Sequence, residues 1–290
     1  MAEDAVVDLE ELIREARKLE PLPASATRLL EMSVSANIDL DDVVGVVELD
    51  PALAGSVLRM ANSAMSAPNR EITTVRDSVV RLGVDLVLSS AASQGIAKRM
   101  QNSDKGMQSE LWRHSVAASM AANMIRRKAK TKIPAEVTAA ALLHDIGKIV
   151  LDRYLNSEAT EKIAAKIAER REENGGDRIE AEASVLLINH GGLGGVIAEH
   201  WKLPDGIVQA ITHHHDPSVS TLPVVWATYL SEVVAYRITN DDAAAYAQDP
   251  NLIPAYEILG LSAGALPDIA EVVARDLDSV ASALGVISNA

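Results

Sequence analysis

Apolar residues recur at spacings of three and four along almost the whole chain, and no β-branched run alternates with polar residues between turns. The pattern predicts an all-α protein with helices at about 5–19, 23–36, 39–48, 51–63, 73–82, 84–99, 109–129, 134–145, 159–173, 177–189, 192–201, 205–215, 221–238 and 267–284. Several boundaries have a chemical reason. Asp50 offers a capping carboxylate, and Pro51 takes the first helical position, where its missing N–H costs nothing. Thr73 is expected to cap "TVRDSVVRL" and Gly83 to close that helix in a left-handed conformation. Pro134 opens, and Gly147 ends, the helix that carries His144.

Breaker-rich segments divide the pattern. "NSDKG" at 102–106 reads as a junction between two helical halves, "ENGGD" at 173–177 as a loop, and "TNDDAAAYAQDP" at 239–250 as the start of a separate C-terminal segment. This gives an N-terminal helical lobe over 1–105, a second lobe over 106–240 and a helical extension over 241–290. There is no repeat of 20–50 residues and no sustained heptad.

Composition sharpens this picture. Apolar residues make up 48% of the 290, yet aromatics are 3% and Phe is absent, so the core rests on Ala, Val, Leu and Ile. Such small side chains let helices approach closely. The net charge of −14 disfavours non-specific binding to nucleic acid or to an anionic membrane, while leaving room for a small phosphorylated ligand in a locally positive pocket. Without cysteine there is no disulfide framework and no thiolate chemistry. The first twenty residues are acidic and amphipathic, unlike a signal peptide, and no apolar run has membrane-spanning length, so a cytoplasmic setting is expected.

Candidate chemistry centres on "AALLHDIGKIVLD" at 140–152, where an imidazole and a carboxylate stand side by side after a greasy run. Burying both is costly unless they pair, bind a metal or face a cavity. A lone histidine on an apolar face is ordinarily a hydrogen-bonded core residue, so convergence matters more than any single one. His144 shares a helical stripe with Val137, Ala140 and Ala141, and His114 one with Ala117, Ala118, Ala121 and Ile125. His190 continues Leu186 and Leu187, and His214 and His215 follow Ile207, Val208 and Ile211. His213 falls on the opposite side of its helix, whereas His200 also shares an apolar face, so periodicity cannot define the site alone. Imidazoles with one carboxylate suit a divalent transition metal. Adjacent helical residues point about 100° apart, so His144 and Asp145 can reach one ion only near a helix end. The alternative is an Asp–His hydrogen bond that stitches the core.

"HDIGK" at 144–148, with "LWRHSVA" upstream, resembles the HD superfamily of metal-dependent phosphohydrolases. "LPASATRLLEM" at 22–32, "DPALAGSVLRMANSA" at 50–64 and "TVRDSVVRLGVDLV" at 74–87 are similar to the N-terminal half of the HDOD group, the HD-related output domain of bacterial signalling proteins. "NHGGLGGVIAEHWKLPDGIVQAITHHHDP" at 189–217 is similar to its C-terminal half, so the resemblance covers roughly 20–240. It implies an HD-superfamily-like multi-helix domain with an added N-terminal lobe, used as a signalling output or interaction module beside receiver or other sensory domains. The related HD-GYP group hydrolyses cyclic di-GMP with two or more metals. Carried over by position, the resemblance assigns His114, His144, Asp145, His190, His214 and His215 as ligands of a divalent ion (Fe, Mn, Zn, Ni or Mg), and Lys148 as the lysine that approaches substrate phosphate.

Two departures bear on activity. After the paired His the chain reads "DPSVSTLP", with Asp216 where the HD-GYP pattern has Glu and with no Gly-Tyr-Pro. The last HD-superfamily Asp is replaced within "ATYLSEVVAY", where Glu232 is the nearest carboxylate. The expected function is therefore a signalling output or interaction module with a metal-binding, non-catalytic HD-like site. The alternative is a metal-dependent phosphohydrolase of a nucleotide or phosphodiester, with Asp145 and Lys148 as its catalytic residues. "GGLGG" at 191–195 has no preceding strand, so it is no dinucleotide fingerprint; it either packs two helices closely or turns the chain. The basic run "IRRKAK" at 125–130 reads as a solvated helix end that complements the dipole.

Overall fold

The computed structural model describes residues 8–34, 38–62, 71–100, 105–155, 161–173, 178–240, 246–262 and 264–284. These form helices without a strand among the described residues, as the apolar period predicts. Their order is α1 (Leu9–Arg17), α2 (Ala24–Ser33), α3 (Leu40–Glu48), α4 (Pro51–Ala61), α5 (Val75–Leu82), α6 (Val84–Met100), α7 (Lys105–Lys128) and α8 (Val137–Leu143). There follow α9 (Ile146–Leu155), α10 (Glu161–Glu173), α11 (Arg178–Leu186), α12 (His190–His200), α13 (Asp205–His213), α14 (Pro223–Thr239), α15 (Leu252–Leu259) and α16 (Ala265–Ala283).

Helices α2 to α6 pack on one another. The long α7 is the axis of the remainder, touching α8, α14 and α16, and α12 lies against α9, α13 and α1. Ala117, Ala118, Ala121 and Ala122 of α7 are fully buried, so close packing by small side chains stands in for aromatic bulk. One apolar cluster runs from Leu12 to Leu284, and the Trp112 and Trp201 indoles each donate across the fold, to the Ala281 and Leu19 carbonyls. Among the described residues no single helix is long and apolar enough to cross a membrane.

The Asp50 cap is present as expected, accepting from the Ala52 and Leu53 amides with Pro51 first in α4. Other boundaries differ. Thr74, not Thr73, caps α5, its hydroxyl oxygen accepting from the Asp77 amide. Gly83 does end α5 at positive φ, but φ 80° with ψ 159° is an extended glycine conformation rather than the left-handed helical one. Lys105 and Gly106 already belong to α7, while 102–104 of the expected junction lie outside the described residues, as do 174–177 and 241–245 of the other two breaker segments. Short α15 was not anticipated, because Pro254 and the preceding breakers mask its apolar period.

The largest correction concerns Gly147. It does not end a helix: α8 stops at Leu143, and Gly147 is the second residue of a further helix, α9. A Cβ there would stand 2.0 Å from the His190 carbonyl oxygen and 2.9 Å from the Gly194 amide nitrogen, so glycine is required by contact between backbones. The "GGLGG" run likewise lies inside α12, where Gly194 and Gly195 face Ile211 and Thr212 of α13; of its two readings, close packing is the one realised.

Glu136, just before α8, is 4% exposed and its Oε2 has no hydrogen-bond partner. Its Oε1 fills the space that a side chain at Gly206 would need. Burial without a partner pushes the carboxyl up from 4.5 to about 7. A raised acid favours the protonated fold, so stability falls as pH rises from about 4.5 to 7. That difference corresponds to on the order of 3 kcal/mol. Urea unfolding of wild type and Glu136→Gln at pH 5 and pH 8 measures it. The variant is expected to lose that part of the decline; equal pH slopes would show that this carboxyl is solvated.

Candidate metal centre

His144 and Asp145 occupy the break between α8 and α9. His144 is the last residue attached to α8, and its Nδ1 donates to the Ala141 carbonyl at 2.6 Å, which leaves Nε2 pointing away from its own helix. The next turn begins at once, with the Lys148 amide donating to the Asp145 carbonyl. The two side chains therefore share a helix end, the one place where neighbours in sequence can serve one centre. His214 and His215 sit in an equivalent turn just past α13, rather than inside a helix reaching 215 as the periodicity implied. His214 Nδ1 donates to the Ile211 carbonyl at 2.7 Å, repeating the arrangement at His144. His190 opens α12, where Asn189 caps the helix.

Around Asp145 the ring nitrogens converge. Oδ2 stands 3.3 Å from His144 Nε2, 3.6 Å from His114 Nε2 and 2.6 Å from Lys148 Nζ. Oδ1 faces His190 Nε2 at 3.2 Å and His214 Nε2 at 3.8 Å. His190 and His215 bring their Nε2 atoms within 2.9 Å of each other, and His114 and His144 within 3.2 Å. Two groups result, each with ligand atoms within 4.8 Å of one another: His114, His144 and Asp145, and Asp145, His190, His214 and His215. Asp145 is common to both. His200 is exposed, and neither it nor His213 enters either group. Asp216 is also exposed, accepting from the Ser218 hydroxyl.

The centre is dry. Exposure is 0% for His144 and His214, 1% for His190, 2% for Asp145 and 8% for His114; His215 is partly buried. Two atoms in it, Asp145 Oδ1 and His214 Nε2, are buried and make no well-aligned hydrogen bond, although His190 Nε2 stands 3.2 Å from the first; this is a costly condition for polar atoms. A divalent cation among them would satisfy both, and imidazole nitrogen with carboxylate oxygen is the donor set such an ion takes, so these residues fit a metal.

Supporting groups hold the donors. Glu182 of α11, 1% exposed, accepts at Oε2 from the His190 amide and lies 2.8 Å from His190 Nδ1, while Arg178 pairs with its other oxygen. Thr239 Oγ1 stands 3.2 Å from His114 Nδ1. Glu232 of α14 comes nearer still: its Oε2 is 2.7 Å from His114 Nε2 and 3.1 Å from His144 Nε2. Glu182 and Thr239, on the nitrogens turned away from the centre, are partners of the kind that fix tautomer and ring orientation at metal sites, whereas Glu232 faces the nitrogens that would bind the ion. Glu182 and Thr239 carried no signal in the sequence reading. Glu232 did, through the resemblance, as the carboxylate nearest the place of the last HD-superfamily Asp in "ATYLSEVVAY".

Electrostatics follow from burial and these partners. Burial alone would lower His144, but Asp145 and Glu232 overcome it and push the imidazolium up to about 10. Burial would raise Asp145 and Glu232, yet their cationic and hydrogen-bonding neighbours, His144 and Lys148 for one and His114 and His144 for the other, hold both well below the usual range. Glu182 is held at about 2 against burial by its bonds to His190 and Arg178. His214 and His215 are driven down by burial and by neighbouring imidazoles, which keeps their rings neutral and able to donate a lone pair. The centre thus carries its protons on the His144 side, where a metal ion and a proton compete for the same nitrogen.

The family model for the HDOD domain matches residues 19–217. A crystal structure of an HDOD domain protein with unknown function from Geobacter sulfurreducens superimposes with a TM-score of 0.70 at 20% identity, covering 97% of this chain and 99% of that one. A candidate phosphohydrolase from Shewanella amazonensis SB2B gives 0.67 at 19% identity, with 98% and 100% covered. A candidate signal transduction protein from Marinobacter aquaeolei VT8 gives 0.70 at 21%, with 98% and 68% covered. Among curated proteins, an uncharacterized protein of Treponema pallidum (strain Nichols) is 22% identical over 205 residues, which are 69% of this chain and 39% of that relative's length.

Proposed function

The chain belongs to the HDOD family, and from that premise we propose that it is a signalling output module whose HD-like centre holds divalent metal for structure or switching rather than for turnover. The observation that carries this reading is the pairing of two ligand groups through Asp145 in a closed environment. A catalytic metal site keeps a position open to substrate. Here the converging nitrogens and oxygens lie beneath the surface, and the Lys148 ammonium that would meet a phosphate is held by Asp145. The rewritten segment after His215 supports the same view, because Asp216 turns outward.

The ligands in this proposal are His114, His144, Asp145, His190, His214 and His215, with Glu232 joining the His114 side. The output surface would be offered by helices of the first hundred residues, in the division 1–105, 106–240 and 241–290, to a signalling protein or a sensory or receiver domain in the cytoplasm. The name borne by the Marinobacter protein agrees with such a role. Metal analysis of untagged protein tests the reading: about two divalent ions per chain are expected from two ligand groups, with no hydrolysis of cyclic di-GMP when manganese or iron is added. Metal-free protein that gains no thermal stability from added manganese would sink it.

One observation favours a second reading, in which the centre hydrolyses a phosphodiester or nucleotide. The Lys148 side chain is 21% exposed at the rim, and the Shewanella protein is named for phosphohydrolase chemistry. A bound ion supplies an activated water and polarises a phosphoryl oxygen. Lys148 would then leave Asp145 to stabilise phosphate charge. Metal-dependent turnover of cyclic di-GMP or a nucleotide, abolished by Lys148→Met with metal content unchanged, would establish it.

A further inference from the structure

Behind the His114 side of the centre lies a tyrosine that neither the motif order nor the family match includes. Tyr246 opens a turn over 246–248, 29 positions beyond the end of the match at residue 217. Its hydroxyl donates to Glu232 Oε1 at 3.0 Å. The other oxygen, Oε2, is the one that faces His114 and His144. The two oxygens of Glu232 thus have separate tasks, one held from behind and one turned to the imidazoles.

The tyrosine is held in an unusual way. Its backbone has φ 63°, a left-handed conformation that bulky residues ordinarily avoid, and its carbonyl accepts from the Asp249 amide. Its ring packs edge-on against Tyr229 at 6.4 Å and Tyr236 at 5.6 Å. Three of the five tyrosines in a chain with no Phe therefore gather at the back of one buried carboxylate. Tyr229 and Tyr236 lie three residues before and four after Glu232, on the same face of α14.

We propose that Tyr246 is a positioning residue for the His114, His144 and Glu232 half of the centre: by occupying Oε1 it leaves Glu232 one oxygen for a cation and fixes where that oxygen points. The inference rests on the metal-binding reading above. It makes the two halves unequal, because the His190, His214 and His215 half has no contact with Tyr246 among those described. It also ties that half to the stretch that leads into α15. If the hydroxyl served only to satisfy a core carboxylate, its loss would affect stability without distinguishing between two ions.

The test is a calorimetric titration of metal-depleted full chain with Mn²⁺, in wild type, Tyr246→Phe, Glu232→Gln and the double variant. Tyr246→Phe keeps the ring and its packing and deletes one donor. Loss of an outer partner typically weakens a metal site by about 10–100-fold. One of two Mn²⁺ ions is expected to weaken by that factor, with the other changed by less than about twofold. Glu232→Gln should weaken the same ion, and adding Tyr246→Phe to it should change nothing further, because the tyrosine acts through that carboxylate. Two ions in wild type and unaltered affinities in Tyr246→Phe would overturn the inference alone, as would equal weakening of both ions or additive effects in the double variant. A wild type that binds no Mn²⁺ would overturn the metal reading and this inference with it.

Discussion

Asp145→Ala is expected to empty both halves of the centre together and to destabilise the fold even without metal. The carboxylate is the residue common to the two ligand groups, with Oδ2 serving the His114 and His144 side and Oδ1 the His190 and His214 side. On the metal-binding proposal, removing a carboxylate common to both ligand groups should cost each ion more than the 10–100-fold typical of an outer partner. Without metal, the variant leaves Lys148 and the raised His144 imidazolium with one carboxylate fewer beside a buried ring. Breaking a buried charge pair from one side commonly costs about 3–5 kcal/mol. Metal content by mass spectrometry and thermal unfolding with and without chelator measure the two effects separately.

The same variant should change the acid response. Because the folded pKa of Asp145 is depressed, its stabilisation is complete above the unfolded value near 3.8 and disappears as pH falls through the folded value. Asp145→Ala should therefore be less sensitive to acid below about pH 4 than wild type is. The core-stitch reading of the His–Asp pair also predicts a less stable variant. It further predicts that chelator leaves wild-type unfolding unchanged, and that outcome would decide for it.

The legible parts of this molecule were those governed by local pattern. Amphipathic periods located most helices, and the chemistry of Asp50-Pro51 fixed the start of α4. The convergence of His114, His144, Asp145, His190, His214 and His215 was also legible, although through motif order rather than spacing, since His200 shares the period of buried Leu193 and Ile197 yet is itself exposed. What escaped depended on contacts between one helix and another element, which no single helical period encodes. Glu182 and Thr239 support ring nitrogens from α11 and the end of α14, and Tyr246 reaches Glu232 across fourteen positions. None of these pairings has a period. Gly147 shows the same limit in the backbone: a glycine after an apolar run ordinarily signals a helix end, and only the His190 carbonyl pressed against it reveals the other reason for glycine.

That contact carries the second large prediction. Gly147→Ala is expected to be more damaging than any other single methyl addition at the described glycines of α9 and α12. The added carbon would lie 2.0 Å from the His190 carbonyl oxygen and 2.9 Å from both the His190 carbonyl carbon and the Gly194 amide nitrogen, and all three atoms are backbone that no rotamer change can clear. At Gly195 the nearest atom, at 2.1 Å, is the Thr212 hydroxyl oxygen, which belongs to a side chain with another rotamer to adopt. Overpacking usually costs about 1–3 kcal/mol, and a clash between two helix backbones belongs at or above the upper end. The damage would reach the centre, because α9 follows Asp145 directly and α12 begins with His190, and those side chains stand 3.2 Å apart. Relief of the clash separates them, so the Asp145, His190, His214 and His215 half should lose metal affinity along with stability. Gly45→Ala is the control: it lies within α3 with no atom within 4 Å of the new carbon, and exchanging a helix-interior glycine for alanine there should stabilise by about 0.5–1 kcal/mol. Denaturant unfolding and metal titration of the two variants give the comparison. A Gly147→Ala protein as stable and as metal-avid as Gly45→Ala would mean that α9 and α12 do not touch in solution as they do here.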